Sequence, residues 1–187
     1  RYTEAGDISQ RSIQYDNGME RVDFYTSGVV SVITQVDAPH EGDGSTFIWS
    51  HTIQFHDEEG ALVSRGTTYD DGTFKSEDFE GGARSRIIES DLGENFEWNV
   101  IERLFDDSGT IASKRQVLDN DDQVLMLYAN GNRNVRVELD GDASEEWDAR
   151  ITHYDPNTGQ DTSVMTLADV TQLPSNYSDY FGLESIA

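Results

Sequence analysis

The sequence predicts an all-β fold, a tandem-repeat antiparallel meander of about thirteen strands, and three observations predict it. The first is an internal repeat: the tryptophans stand at Trp49, Trp98 and Trp147, 49 residues apart both times. Gly60 and Gly109, Gly82 and Gly131, Arg84 and Arg133, Glu89 and Glu138, and Asp91 and Asp140 keep the same period. The second is turn chemistry. Asp16-Asn17-Gly18, the Asp-Glu-Glu-Gly at 57–60, the Asp-Asp-Gly at 70–72, Gly81-Gly82, the Asp-Asp-Ser-Gly at 106–109 and Asn130-Gly131-Asn132 all supply residues that tolerate the positive φ of hairpin turns. The third is what lies between: short segments rich in Val, Ile, Thr, Tyr and Phe, with no sustained 3.6-residue stripe.

Taken in order, residues 1–49 form the first unit, which enters the repeat in mid-unit, Tyr2 to Gly6 matching His56 to Gly60. It follows the next unit at a shift of 54 rather than 49, Gly28 matching Gly82 and Asp37 matching Asp91, so five residues are inserted between Asp37 and Trp49. Residues 50–98 and 99–147 each read as four strands, including Ala61 to Tyr69, Thr110 to Leu118 and Gln123 to Ala129. Residues 148–187 are a degenerate fourth unit in one repeat domain spanning the chain, and its last part, 169–187, breaks the pattern as a cap or docking tail would. Four strands per unit is also the size of a propeller blade. The mid-unit start and the charges on both faces of strands such as Ser85-Arg86-Ile87-Ile88-Glu89 favour an open twisted sheet or partial barrel instead.

Charge narrows the function. The 187 residues carry 37 acids against 13 bases, a formal charge of −24. Such a surface repels phosphate backbones and anionic headgroups, so no nucleic-acid partner is expected. No run approaches the roughly 18–20 apolar residues of a membrane span, so neither is membrane insertion. With no cysteine, disulfides, thiolate metal sites and cysteine nucleophiles are excluded. The bases are eleven Arg and two Lys, a balance typical of proteins that work in salty surroundings.

The chemistry-bearing residues cluster in turns. Asp119, Asp121 and Asp122, and again Asp140, Asp142 and Glu145, bring three carboxylates within a few residues. Calcium takes six to eight oxygens, so calcium is the one cofactor these groups suggest, although neither follows the twelve-residue loop of an EF-hand. Asp in a turn is equally explained by its hydrogen bonds to the local backbone. His40, Glu41 and Asp43 in the inserted loop are a further metal or ligand candidate. His56 stands at the repeat position of Phe105 and Tyr154, and His153 at that of Phe55 and Leu104, so both read as packed residues. Trp49, Trp98 and Trp147 are core residues of each unit or a row that stacks on sugar rings, the former being favoured. In the tail, Tyr177, Tyr180 and Phe181 are expected to cover the final sheet edge or to insert into a partner. No nucleophile elbow, phosphate loop, dinucleotide fingerprint or zinc-protease motif is present, and no carboxylate pair is singled out by spacing.

The turn of type Tyr-Asp-x-x-Gly, followed by a strand ending in Tyr69-Asp70-Asp71-Gly72, resembles the Asp-rich tandem hairpin repeats of RTX-type secreted proteins of marine bacteria, and more faintly the YD repeats of Rhs-type shell proteins. The resemblance covers residues 1–160, but the Gly-Gly-x-Gly-x-Asp nonapeptide of the calcium-bound β-roll is absent, so it does not carry calcium dependence over. It implies export, a secreted, extracellular or cell-surface setting, and a structural or adhesive role. The expected function is thus a non-catalytic interaction module that binds a protein partner, a filament neighbour or a cell-surface polymer, with self-association through sheet edges. A carbohydrate-binding module for a polysaccharide and an accessory subunit of a larger complex are the alternatives.

Overall fold

A computed structural model describes residues 1–4, 6–37 and 47–183. Thirteen antiparallel strands follow one another in meander order. They belong to two compact units, residues 1–95 and 96–187. Unit 1 holds β1 (Gln10–Gln14), β2 (Glu20–Thr26), β3 (Val29–Val36), β4 (Trp49–His56), β5 (Leu62–Tyr69), β6 (Thr73–Glu80) and β7 (Ala83–Asp91). Unit 2 holds β8 (Trp98–Phe105), β9 (Ile111–Leu118), β10 (Gln123–Ala129), β11 (Asn132–Leu139), β12 (Ala149–Tyr154) and β13 (Asp161–Leu167), then a 3₁₀ turn (Val170–Gln172) and helix α1 (Ser175–Phe181). The open antiparallel meander expected from the sequence is the fold found. A propeller would break it into separate four-stranded blades, whereas seven strands pair in unbroken succession in unit 1.

The repeat is visible as repeated backbone geometry. Ser27-Gly28, Gly81-Gly82 and Asn130-Gly131 each close a two-residue hairpin with both φ values positive, between 52° and 83°. That is the geometry matching the right-handed twist of the flanking strands, and it explains why this position keeps a glycine. One register shift precedes each of these hairpins, between Phe24 and Tyr25, Asp78 and Phe79, and Leu127 and Tyr128, so the bulge recurs with the sequence. In a second class of turn an aspartate holds the loop. The Asp57 carboxylate accepts from the Glu59 and Ala61 amides, and Asp106 from those of Ser108 and Thr110. The Ser108 hydroxyl, above all, and these amides hold the Asp106 carboxyl below the usual carboxylate range.

The two units solve the problem of burial differently. Opposed residues in an antiparallel pair share a face, and in unit 1 one cross-strand row runs Arg11, Asp23, Ile33, Gln54, Arg65, Glu77, Ile87 from β1 to β7. Beside it runs Ile13, Arg21, Gln35, Thr52, Thr67, Lys75, Glu89. The buried residues Asp23, Thr52, Thr67, Glu77, Ile87 and Asp91 lie on this one face, and only Ile87 is apolar. The opposite face carries Val22, Phe24, Val32, Ile53, Phe55 and Ile88. There Phe24 and Phe55 remain 38% and 41% exposed. Gly66 interrupts that face because Ile53 and the Phe74 ring lie over it, where a Cβ would come within 3.1–3.4 Å of both.

Buried charge is stable only when paired. Glu77, 1% exposed, accepts two hydrogen bonds from Arg65 on its Oε2, and its Oε1 ion pairs with Arg84 at 2.7 Å and Lys75 at 3.3 Å. Asp23 is held the same way, by Arg21 at 2.6 Å and Arg11 at 3.5 Å. Burial pushes the Glu77 carboxyl upward, but the Arg65 hydrogen bond and the charges of Lys75, Arg65 and Arg84 outweigh it, leaving it below the ordinary glutamate range.

Unit 2 has an apolar core. Leu125, Val137 and Ile151 stand opposite one another on β10, β11 and β12, with Leu139 and Ala149 in the next row. The tail folds back over them, burying Leu173, Tyr177 and Phe181 against this cluster. Tyr177 and Phe181 are four residues apart and so lie on one side of α1, and Leu173 stands just before it. Pro174 starts α1, and Gly182 ends it at φ 68° with the Leu183 amide returning to the Ser178 carbonyl. The expectation that the tail covers the last edge is corrected here: it covers the sheet face, because its anchors are spaced for a helix rather than for a strand.

Candidate functional site

Two of the acidic turns expected from the sequence come together. The β9–β10 turn carries Asp119, Asp121 and Asp122, and the loop after β11 carries Asp140, Asp142 and Glu145. One carboxylate oxygen from each of Asp122, Asp140 and Asp142 lies within 4.8 Å of the others. Asp119 and Asp121 are exposed, Asp121 at φ 68°, and point to a turn role. Glu145 contributes its amide, which donates to Asp140 at 2.9 Å.

The three clustered carboxylates already tie the loops together. Asp122 accepts from the Gly141 amide and the Asn120 side chain, both at 2.9 Å. Asp140 and Asp142 both accept from the Ser144 amide, at 3.2 and 3.0 Å, and Asp142 also from Asn120 at 3.2 Å. The Ser144 side chain, then Asp140 and Asn120, hold the Asp142 carboxyl below its usual range. Chemically the cluster is a set of three carboxylates, Asp142 exposed and Asp122 and Asp140 half-buried. A calcium ion would find three side-chain ligands there and would need water or backbone carbonyls for the rest of its six to eight.

The tryptophans are not the core of their units. Trp49 and Trp98 open β4 and β8, Trp147 stands just before β12, and all three are half-buried. Each of the first two stacks on the phenylalanine two residues earlier, Phe47 on Trp49 at 4.9 Å and Phe96 on Trp98 at 5.2 Å. In the third copy Glu145 replaces the phenylalanine. The reason for the shallow burial is position: a register shift follows Trp49 and Trp98 directly, so the rings sit at the strand mouth and not over its middle. The Phe-x-Trp pair itself repeats at 49 residues and was legible in the sequence beside the tryptophan spacing.

His40, Glu41 and Asp43 lie outside the described residues. Tyr177 and Phe181 are structural, at 9% and 8% exposure, while Tyr180 stays 39% exposed and its carbonyl accepts from the Arg115 guanidinium at 3.1 Å. β13 is the last strand of unit 2, paired only with β12 among the described residues, and every residue of it but Leu167 is exposed. The buried carboxylates Asp23 and Glu77 are not among the residues expected from the sequence, although an acid with arginine or lysine two residues away on the same face was their signal. No protein-family model matches the chain, and no curated protein is found to be related to it.

Proposed function

We propose that this chain is a non-catalytic β-repeat interaction module, working outside the cell, that associates with a protein partner or a neighbouring copy through its terminal strand. The observation that carries the reading is β13. Its residues Asp161 to Thr166 are exposed, Val164 and Met165 at 50% and 46%, and its pairing is one-sided among the described residues. An exposed edge strand with apolar side chains is a template for another strand. Among the described residues no helix is long and apolar enough to cross a membrane. Sedimentation velocity is expected to show a mass that rises with protein concentration, or with a candidate partner, and Val164→Lys is expected to abolish the rise. A monomer at all concentrations with every partner offered would remove this reading.

A second reading, a calcium-assisted module for a cell-surface polysaccharide, is favoured by the clustered Asp122, Asp140 and Asp142 and by the two stacked Phe–Trp pairs. Under it, calcium raises the melting temperature by several degrees relative to chelator, and Asp142→Asn cancels most of that rise. Tryptophan emission then shifts on adding oligosaccharide. Equal melting curves with calcium and with chelator would leave the three carboxylates as loop ties alone.

A further inference from the structure

We propose that unit 1 carries a binding site for a small neutral saccharide where the β2–β3 hairpin meets the β4–β5 turn. The case starts from the repeat. His56 occupies the position taken by Tyr154 two units later. In unit 2 that place is filled: the Arg133 guanidinium lies over the Tyr154 ring at 4.8 Å. In the hairpin beside His56 the residue equivalent to Arg133 is Val30. This copy of the repeat thus has an imidazole for a phenol ring and a valine for an arginine, and a cavity of about 490 Å³ is lined by His56. That volume is within the range of small-molecule sites.

The lining states the ligand class. Thr26, Ser27 and Ser31 bring hydroxyls, of which Thr26 donates to Ser31 at 3.1 Å and Ser31 to the Phe24 carbonyl at 3.3 Å, leaving these two as acceptors, while Glu58 brings an exposed carboxylate and Val29 an aliphatic wall. Among the described residues no lysine or arginine lines it, which disfavours an anion. The Asp57 carboxylate is committed to its turn, accepting from Glu59 and Ala61. His56 supplies the observation that points to an occupant. Its Nδ1 is buried and has no hydrogen-bond partner among the described residues. Buried polar atoms are nearly always partnered, so a ligand that draws the imidazole toward the cavity would supply the partner it lacks. A sugar ring offers hydroxyls to Ser27, to the free lone pairs of Thr26 and Ser31 and to Glu58, and a C–H face to Val29.

The proposal goes beyond the interaction-module reading and does not rest on it, since the cavity lies away from β13 in sequence and in unit. The test is an NMR titration of the ¹⁵N-labelled full chain with glucose, galactose and N-acetylglucosamine, with putrescine as the cationic control. Saturable shifts of the His56 ring and of the Thr26, Ser27 and Ser31 amides are expected with at least one sugar, with Kd of about 1 mM. His56→Tyr, which restores the ring of the other unit, is expected to weaken binding at least about ten-fold at an unchanged melting temperature. If that variant does not fold, Glu58→Gln at the exposed rim is expected to weaken binding several-fold. Absence of shifts with all three sugars, binding that survives both substitutions, or binding of putrescine alone would overturn the assignment.

Discussion

Phe181→Ala is expected to cost unit 2 about 3–5 kcal/mol in urea denaturation, the range for removing a buried aromatic ring from a packed core. Phe181 is 8% exposed and closes the cluster formed by Leu125, Val137, Leu139, Ala149 and Ile151. In a chain with few buried apolar residues there is little to collapse into the gap, so the cost should lie toward the upper end. Tyr180→Ala is the control: it points outward at 39% exposure and is expected to change stability by less than about 1 kcal/mol. Equal effects at the two positions would show that α1 does not hold the core of unit 2.

Glu77→Gln should be nearly as damaging to unit 1, at about 3 kcal/mol near pH 7. The substitution keeps the size of the side chain and removes its charge, leaving Arg65, Lys75 and Arg84 facing one another around a buried amide. Linkage supplies a second, independent readout. The folded-state carboxyl is held below the ordinary glutamate range, so its contribution is fully present above the unfolded value of about 4.3. It is lost as the pH falls through the folded value. The gap in melting temperature between the native chain and Glu77→Gln should therefore be constant at neutral pH and close on acidification below about pH 4. A gap that persists at low pH would mean that the loss comes from packing rather than from charge.

These two sites show what could be read from the chain and what could not. The period set by Trp49, Trp98 and Trp147, with its glycines in register, was enough for strand number, turn positions and meander order, because hairpin turns and alternation are local properties of the backbone. Asp122, Asp140 and Asp142 were legible as acids in turns, but not as one cluster, since 18 residues separate the first two and only the pairing of β10 with β11 joins their turns. Tyr177 and Phe181 are legible as tail aromatics that cap something, but a helix of seven residues carries too short a periodicity to be read from the chain.

The tertiary structure decided which face of each unit is buried. Unit 1 and unit 2 share a repeat, yet Glu77 is encircled by cations on one face while the position 49 residues later is Met126. The apolar core of unit 2 lies on the other face, where α1 covers it. Alternation along a strand tells which residues share a face, and the chain by itself determined that much. Which face is desolvated depends on what packs over it, and that is a contact between elements far apart in sequence. The same reason hides the cavity beside His56, which lies where two turns separated along the chain meet.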